Sequence, residues 1–132
     1  MNEDLEEIIQ PKGELALQTI AMPKDANFNG DIFGGWLVSQ MDLAGAITAD
    51  QIAQGRVATV AVDSMVFVSP VAIGSVVSCY THVINIGRSS ISMNIEVWAK
   101  HPRTQDIRKV TEGKFTFVAI NEDKRTRQIP SA

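Results

Sequence analysis

The stretch between residues 27 and 42 holds most of the residues whose types and spacing suggest chemistry. Three glycines, Gly30, Gly34 and Gly35, lie within six residues. Glycine permits positive φ and lets a ligand approach the backbone closely. A helical pattern of apolar residues begins directly after the pair, at Trp36. Because the first N–H groups of a helix are unpaired and lie at its positive dipole end, this position predicts stabilisation of an anion or of a developing oxyanion.

One carboxylate, Asp42, lies two turns into this otherwise mostly apolar helix. It is a candidate general base that takes a proton from water, or a nucleophile, and the sequence leaves both roles open. A structural acid bonded to backbone is the alternative. Seven residues of helix separate Gly35 from Asp42, about 10 Å, whereas groups acting on one carbonyl must lie within about 3 Å of it. The sequence therefore predicts a two-fold dimer in which Gly35 of one subunit faces Asp42 of the other.

Hydrophobic periodicity predicts one helix and five strands that position these residues. The helix covers residues 36–53, and Gly55 closes it. The predicted strands cover residues 15–21, 56–68, 76–86, 89–100 and 108–120. Strands joined by short links are expected to be antiparallel neighbours, in a sheet that curls around the helix. Trp98, on the polar face of the fourth strand, predicts that this face meets another subunit, and edge-to-edge pairing of sheets would protect their edges.

Length and composition limit the class of protein. The 132 residues fit one domain, 1–132, with residues 1–13 and 121–132 expected to be tails. A net charge of −3 with 20% charged residues argues against nucleic-acid binding. Cys79 is the single cysteine, and His82 and His101 lack ligand spacing, so neither a disulfide framework nor a metal site is expected. No apolar run approaches 18 residues and the N-terminus is acidic, so no membrane association and a cytoplasmic location are expected.

Several motifs together resemble the hotdog-fold acyl-CoA thioesterases, and among them the bacterial YciA-type enzymes. The motifs are Ala21-Met22-Pro23-x-Asp25-x-Asn27-x-x-Gly30-x-x-Phe33-Gly34-Gly35-Trp36 with Asp42, then Phe67-x-x-Pro70-Val71-x-x-Gly74, and Gly87-Arg88-Ser89-Ser90. The resemblance covers about residues 14–120. It implies an α+β hotdog fold, in which a five-stranded antiparallel sheet wraps around one long central helix. It also implies homodimers joined through their sheets, and trimers of such dimers.

The resemblance further implies hydrolysis of acyl-CoA to free CoA and a carboxylic acid, over a broad range of acyl chains. No cofactor is implied, since coenzyme A is part of the substrate. Asp42 would be the base or nucleophile, and the Gly35 N–H the oxyanion donor. The family pattern places Asn27 beside Gly35, where it would orient water or polarise the carbonyl; Asn29 ranks second for this role. Gly34, the other glycine of the pair, is also expected to contact the substrate.

The turn Gly87-Arg88-Ser89-Ser90 resembles the family's CoA-contacting turn, although Arg88 could equally be a solvated turn residue. Arg56, near the end of the helix, is a weaker candidate for contacting a CoA phosphate. Thr59 and Ser64, on the strand after the helix, are candidates to line the acyl end. The basic run 124–127 is interpreted as a solvated tail, or as a group that reaches a CoA phosphate on a neighbouring subunit.

Two other functions fit a hotdog protein. One is a protein that binds acyl-CoA or another thioester without turnover, which would not need Asp42. The other is a dehydratase acting on hydroxyacyl chains. Dehydratase chemistry generally uses a catalytic histidine, and neither His82 nor His101 lies near the glycine stretch in the sequence.

Overall fold

One α-helix and five strands form the described part of the chain, as the sequence predicts. The computed structural model describes residues 10–131; the first nine residues of the predicted N-terminal tail, and residue 132, lie outside the described residues. The elements are β1 (Glu14–Ile20), α1 (Gly34–Ala53), β2 (Val57–Phe67), β3 (Val76–Ile86), β4 (Ser90–Lys100) and β5 (Ile107–Ala119). A single 3₁₀ turn, Pro23–Asp25, lies between β1 and α1. The helix begins at the glycine pair itself, two residues earlier than predicted.

The five strands form one antiparallel sheet in the order β1-β3-β4-β5-β2. The expectation that consecutive strands are neighbours is confirmed for β3–β4 and β4–β5. It is wrong for β2 and β3, which lie on opposite sides of the β4–β5 pair. Their connection, residues 68–75, is anchored instead beneath the loop before α1: Val71 is buried, and its carbonyl accepts the Ile32 N–H at 3.0 Å. Among residues 10–131, this crossover leaves β2 as an edge strand that pairs with β5 alone.

Helix α1 packs against one face of the sheet through small residues. Its buried positions are Leu37, Met41, Ala44, Gly45, Ala49 and Ala53. Alternate residues of β4 face this helix and are fully buried, which confirms the alternation predicted for that strand: Ile91, Met93, Ile95 and Val97. Small helix residues let the helix axis come close to the bulkier sheet side chains. Within the described part of the chain, no helix is both long enough and apolar enough to span a membrane.

The helix and the sheet approach each other closely at Gly45. A Cβ at this position would lie 2.6 Å from the Phe117 ring and 2.8 Å from Ile95 Cδ1. We expect Gly45→Ala to lower the free energy of unfolding by about 1–2 kcal/mol, because overpacking against a buried ring outweighs the better helix propensity of alanine. Urea denaturation at fixed protein concentration measures this. Gly35→Ala is the matched control, since its Cβ would meet no heavy atom within 4 Å; equal stability of the two variants would contradict the expectation.

Trp98 lies on the outer face of the sheet, but its burial does not require another subunit. Its side chain is 6% exposed in the single chain. The indole Nε1 donates to Glu96 Oε1 at 2.9 Å, and the Lys12 backbone N–H donates to the same oxygen at 3.3 Å. Residues 10–13 therefore run beside this part of the face. The chain itself buries the indole, so this burial is no evidence for a subunit contact, and the contact stays a prediction.

The C-terminal segment, residues 121–131, packs on the molecule where a polar tail was expected. Ile129 is buried, and its N–H donates to the Arg88 carbonyl at 2.7 Å. Arg127, interpreted from the sequence as part of a solvated or phosphate-reaching run, donates to the Ile120 and Ala53 carbonyls at 2.9 and 3.0 Å. One apolar residue at position 129 and one guanidinium are enough to attach this otherwise polar segment.

Candidate active site

Asp42 lies on α1 beside the edge strand β2. Its side chain is partly exposed, and its Oδ1 accepts a hydrogen bond from Thr59 Oγ1 at 2.6 Å. The hydroxyl fixes one carboxylate oxygen and leaves Oδ2 able to accept a proton. Because the carboxylate is neither sealed in the core nor bonded to backbone, the alternative of a buried structural acid does not describe it.

The glycine pair forms the start of α1. Phe33 is the N-cap residue, and no side chain caps this end of the helix. A Cβ at Gly34 would be in ordinary contact with the Phe67 ring at 3.5 Å, and one at Gly35 would meet nothing. Neither residue has a positive φ. Packing within the chain therefore does not require glycine at position 35, which leaves an open approach to an uncapped helix N-terminus.

The loop before the helix is held by Asn27. Its Oδ1 accepts the backbone N–H groups of Asn29 and Asp31 at 2.9 and 3.2 Å. The Asn27 N–H in turn donates to the Asp31 carbonyl at 2.8 Å, and Gly30 donates to the Asn27 carbonyl. With Oδ1 occupied, Nδ2 is the end of this amide that can donate to a ligand. Asn29 lies exposed within the turn that Asn27 makes.

The turn Gly87–Ser90 joins β3 and β4, with the Gly87 N–H donating to the Ser90 carbonyl at 2.8 Å. Ser90 and Ala58 both pair with Val118, from opposite sides of β5. Two strand spacings, about 10 Å, therefore separate the turn from the β2 segment that carries Thr59. Arg56, exposed, precedes that segment directly. The structure thus brings the predicted CoA-binding residues Arg56 and Arg88 to the same level of the sheet as Thr59, the partner of Asp42.

Ser64 is not brought to this site. It has a positive φ of 56° where the β2–β5 register shifts, and it lines a cavity of about 340 Å³ with Asn94 and Glu112. These residues belong to the outer face of the sheet, opposite the helix. Five positions separate Ser64 from Thr59, and strand alternation puts residues at an odd spacing on opposite faces of the sheet. A single chain therefore does not bring Ser64 beside Thr59, contrary to the prediction that both line one acyl site.

The outer face carries its own charged cluster. Lys109 Nζ lies 3.9 Å from the buried Glu96 carboxylate and hydrogen-bonds Glu112. That hydrogen bond lowers the pKa of Glu112, with a smaller contribution from the Asn94 amide, although partial burial acts the other way. These charged groups pair with one another on the face opposite Asp42, so they are part of the outer surface and not of the candidate site.

Other reactive side chains are occupied or buried. Burial raises the pKa of the Cys79 thiol to about 12, so it is not a thiolate nucleophile near neutral pH. His101 Nδ1 accepts the backbone N–H groups of Arg103 and Thr104, which caps the β4–β5 loop. His82, exposed on β3, pairs with Asn94 of β4. Among residues 10–131, no three His, Cys, Asp or Glu side chains cluster as metal ligands would.

The two halves of the predicted site lie apart within one chain. Gly35 is in the first turn of α1 and Asp42 two turns further on, about 10 Å along the axis of a regular helix. Asn27 belongs to the loop at the Gly35 end, whereas Thr59 and Arg56 belong to the Asp42 end. One carbonyl cannot contact both halves of a single chain, as the sequence spacing predicts.

Comparison with known proteins places this arrangement in a family. Residues 29–105 match the model of the Thioesterase superfamily. The acyl-CoA thioester hydrolase YciA of Salmonella typhimurium is 54% identical over 123 residues, which are 91% of this chain and 92% of that protein. A hexameric thioesterase from Yersinia pestis is 54% identical with a TM-score of 0.89, covering 92% of this chain and all of that one. A hexameric broad-specificity acyl-coenzyme A thioesterase is 52% identical with a TM-score of 0.89, covering 92% and 84% of the two chains.

The helix, the sheet wrapped around it and the matched residues define a hotdog-fold protein of the thioesterase superfamily. Sequence identity to the YciA proteins exceeds one half over about nine-tenths of both chains, which indicates a narrower group within this superfamily. The chain belongs to the YciA-type acyl-CoA thioester hydrolases, as the motifs predict.

Proposed function

We propose that this chain hydrolyses acyl-CoA to free CoA and a carboxylic acid, over a broad range of acyl chains. The YciA-type relatives, named as acyl-CoA thioester hydrolases, support the substrate class. The observation that carries the proposal is the partly exposed Asp42 carboxylate, held by Thr59 Oγ1 at 2.6 Å beside an edge strand. A protein that only bound acyl-CoA would have no use for a positioned carboxylate with one free oxygen. We expect it to act in the cytoplasm, with no cofactor other than the CoA that its substrate contains.

In the proposed reaction, Oδ2 of Asp42 accepts a proton as water adds to the thioester carbon. The charge that forms on the carbonyl oxygen is stabilised by the Gly35 N–H at the helix start and by Asn27 Nδ2. The C–S bond then breaks, and the CoA sulfur leaves with the proton returned from Asp42. Direct attack by Asp42 on the thioester, giving a mixed anhydride that water then hydrolyses, needs the same two donors.

We infer that two subunits build each site. Strand β2 pairs with another strand on one side only, and most of its residues are exposed, including Val60, Val62 and Val66. Pairing of two β2 strands about a two-fold axis would cover these side chains and extend the sheet. It would also let Gly35 and Asn27 of one subunit approach Asp42 of the other. The hexamers described for relatives are consistent with three such dimers.

Release of free thiol from a panel of acyl-CoA esters tests the function. We expect turnover with chains of several lengths, at kcat values of order 1–10³ s⁻¹ that are ordinary for enzymes. Titration calorimetry with CoA on the same preparation shows that the protein is competent to bind. Binding of CoA without thiol release from any ester would identify a non-catalytic thioester-binding protein and would end the proposal.

A further inference from the structure

Arg127 ties together three elements at the end of the molecule where α1 finishes. Its Nε donates to the Ile120 carbonyl at 2.9 Å, Nη1 to Ala53 at 3.0 Å and Nη2 to Arg56 at 3.4 Å. Ala53 is the last residue of α1, and carbonyls in the last turn of a helix have no partner within the helix. A cation is favoured at this negative end of the dipole. One guanidinium therefore joins the end of α1, the start of β2 and the end of β5.

The chain is shaped locally to receive this guanidinium. Gln54 ends the helix in the left-handed region at φ 53°, and Gly55 follows at φ 149°. A Cβ at Gly55 would lie 2.8 Å from Arg127 Nη2. The positive φ favours glycine at position 55, and the guanidinium passes close over the space that a side chain there would occupy.

The segment that Arg127 anchors continues to the predicted CoA-binding turn. Two residues after Arg127, the Ile129 N–H donates to the Arg88 carbonyl at 2.7 Å. On the other side, the Ala119 N–H donates to the Ser89 carbonyl at 2.8 Å. Both central carbonyls of the turn are thus held by backbone N–H groups of the last part of the chain. The position of Arg88 depends on where that segment lies.

A cavity of about 690 Å³ lies between this segment, the turn and the last turn of α1. Its lining includes Arg88 and three amide side chains, those of Gln51, Gln54 and Gln128. The volume falls in the range of small-molecule sites, about 300–1,000 Å³. Amides can hydrogen-bond the edges of a base, and a guanidinium pairs with phosphate. Because the whole chain carries a net charge of −3, attraction of a polyphosphate must come from such a local group.

We propose that Arg127 is a positioning residue for the nucleotide of CoA: it holds residues 128–131 as one wall of this cavity and fixes Arg88 at its rim. This inference rests on the proposed hydrolysis of acyl-CoA. Gln51 lies nine residues after Asp42 on α1, about 14 Å along the axis. A nucleotide in the cavity would thus be joined to the reacting thioester by the extended pantetheine arm.

The test compares Arg127→Gln with wild type on an acyl-CoA and on the matching acyl-pantetheine thioester, which lacks the nucleotide. We expect KM for the acyl-CoA to rise about tenfold, because Arg88 and residues 128–131 would no longer be held where they contact the nucleotide. The kcat for both substrates, and kcat/KM for acyl-pantetheine, should stay within about twofold of wild type. Arg127→Lys should recover part of the loss, and Arg103→Gln, at an exposed arginine in the β4–β5 loop, should change the kinetics with neither substrate.

Equal losses on the two substrates, or no loss on either, would overturn the inference. Gln128→Glu gives an independent test if Arg127→Gln does not fold, because the side chain is exposed and the change is isosteric. Its added negative charge should raise KM for acyl-CoA and leave acyl-pantetheine unaffected; no selective effect would again overturn the inference. Wild-type turnover of acyl-pantetheine separates the two proposals, since failure to hydrolyse either thioester would count against the proposed function itself.

Discussion

Replacement of Asp42 by asparagine is expected to lower kcat for acyl-CoA hydrolysis by about 10²–10⁴-fold, with KM nearly unchanged. The amide keeps the size of the side chain and can still accept the Thr59 hydrogen bond, but it cannot take a proton from water or attack the thioester. Steady-state thiol release with one acyl-CoA measures both constants. A selective loss of kcat is expected of a group that acts in the reaction and not in substrate binding.

Asp50 provides the matched control for this substitution. It lies on the same helix and is exposed, so Asp50→Asn removes the same charge from α1 without touching the site. We expect its kcat to stay within about twofold of wild type. If Asp42→Asn were as active as wild type, Asp42 could be neither the general base nor the nucleophile.

Mixing two inactive variants is expected to restore activity if each site draws on two chains. Gly35→Pro deletes the N–H proposed to stabilise the oxyanion and should cost about 10²–10³-fold. Proline is tolerated in the first turn of a helix, so the fold should survive. In a dimer of one Gly35→Pro chain and one Asp42→Asn chain, one of the two sites has both residues intact. Random mixing makes half of the dimers mixed, so about one quarter of wild-type activity should return.

The mixing experiment requires joint unfolding and refolding of the two variants, followed by the thiol-release assay. Each variant refolded alone is the control and should remain inactive. Joint refolding that gives mixed oligomers by mass spectrometry, yet no activity above the controls, would mean that Gly35 and Asp42 of the same chain serve one site. The proposed two-chain site would then be wrong.

Much of the fold follows from the sequence because periodicity is a local property. The alternation in β4 predicts which of its residues face the helix, and Ile91 to Val97 are buried accordingly. Strand order is not local. The β2–β3 crossover depends on the anchoring of Val71 under the loop before α1, and no pattern within either strand indicates it.

Candidate site residues could be chosen from the sequence where a residue type is unusual for its position. A carboxylate in the interior of a mostly apolar helix, and a glycine pair at its start, made Asp42 and Gly35 the candidates. Ser64 was grouped with Thr59 although an odd number of positions separates them, and strand alternation puts such residues on opposite faces of the sheet. The anchoring role of Arg127 was missed for a different reason: in a basic, polar run, only the apolar Ile129 two residues later distinguishes an attached segment from a solvated one.

Strand β2 contributes both to the candidate site and to the proposed contact between subunits. The Thr59 side chain hydrogen-bonds Asp42, the proposed base or nucleophile, and the outer backbone edge of the same strand is where the proposed partner docks. A newly synthesised chain that has not yet met a second copy would therefore leave the cell's thioester pool untouched. Thioesterase activity would appear only above the protein concentration at which copies associate. Oligomer assembly would thus switch the enzyme on.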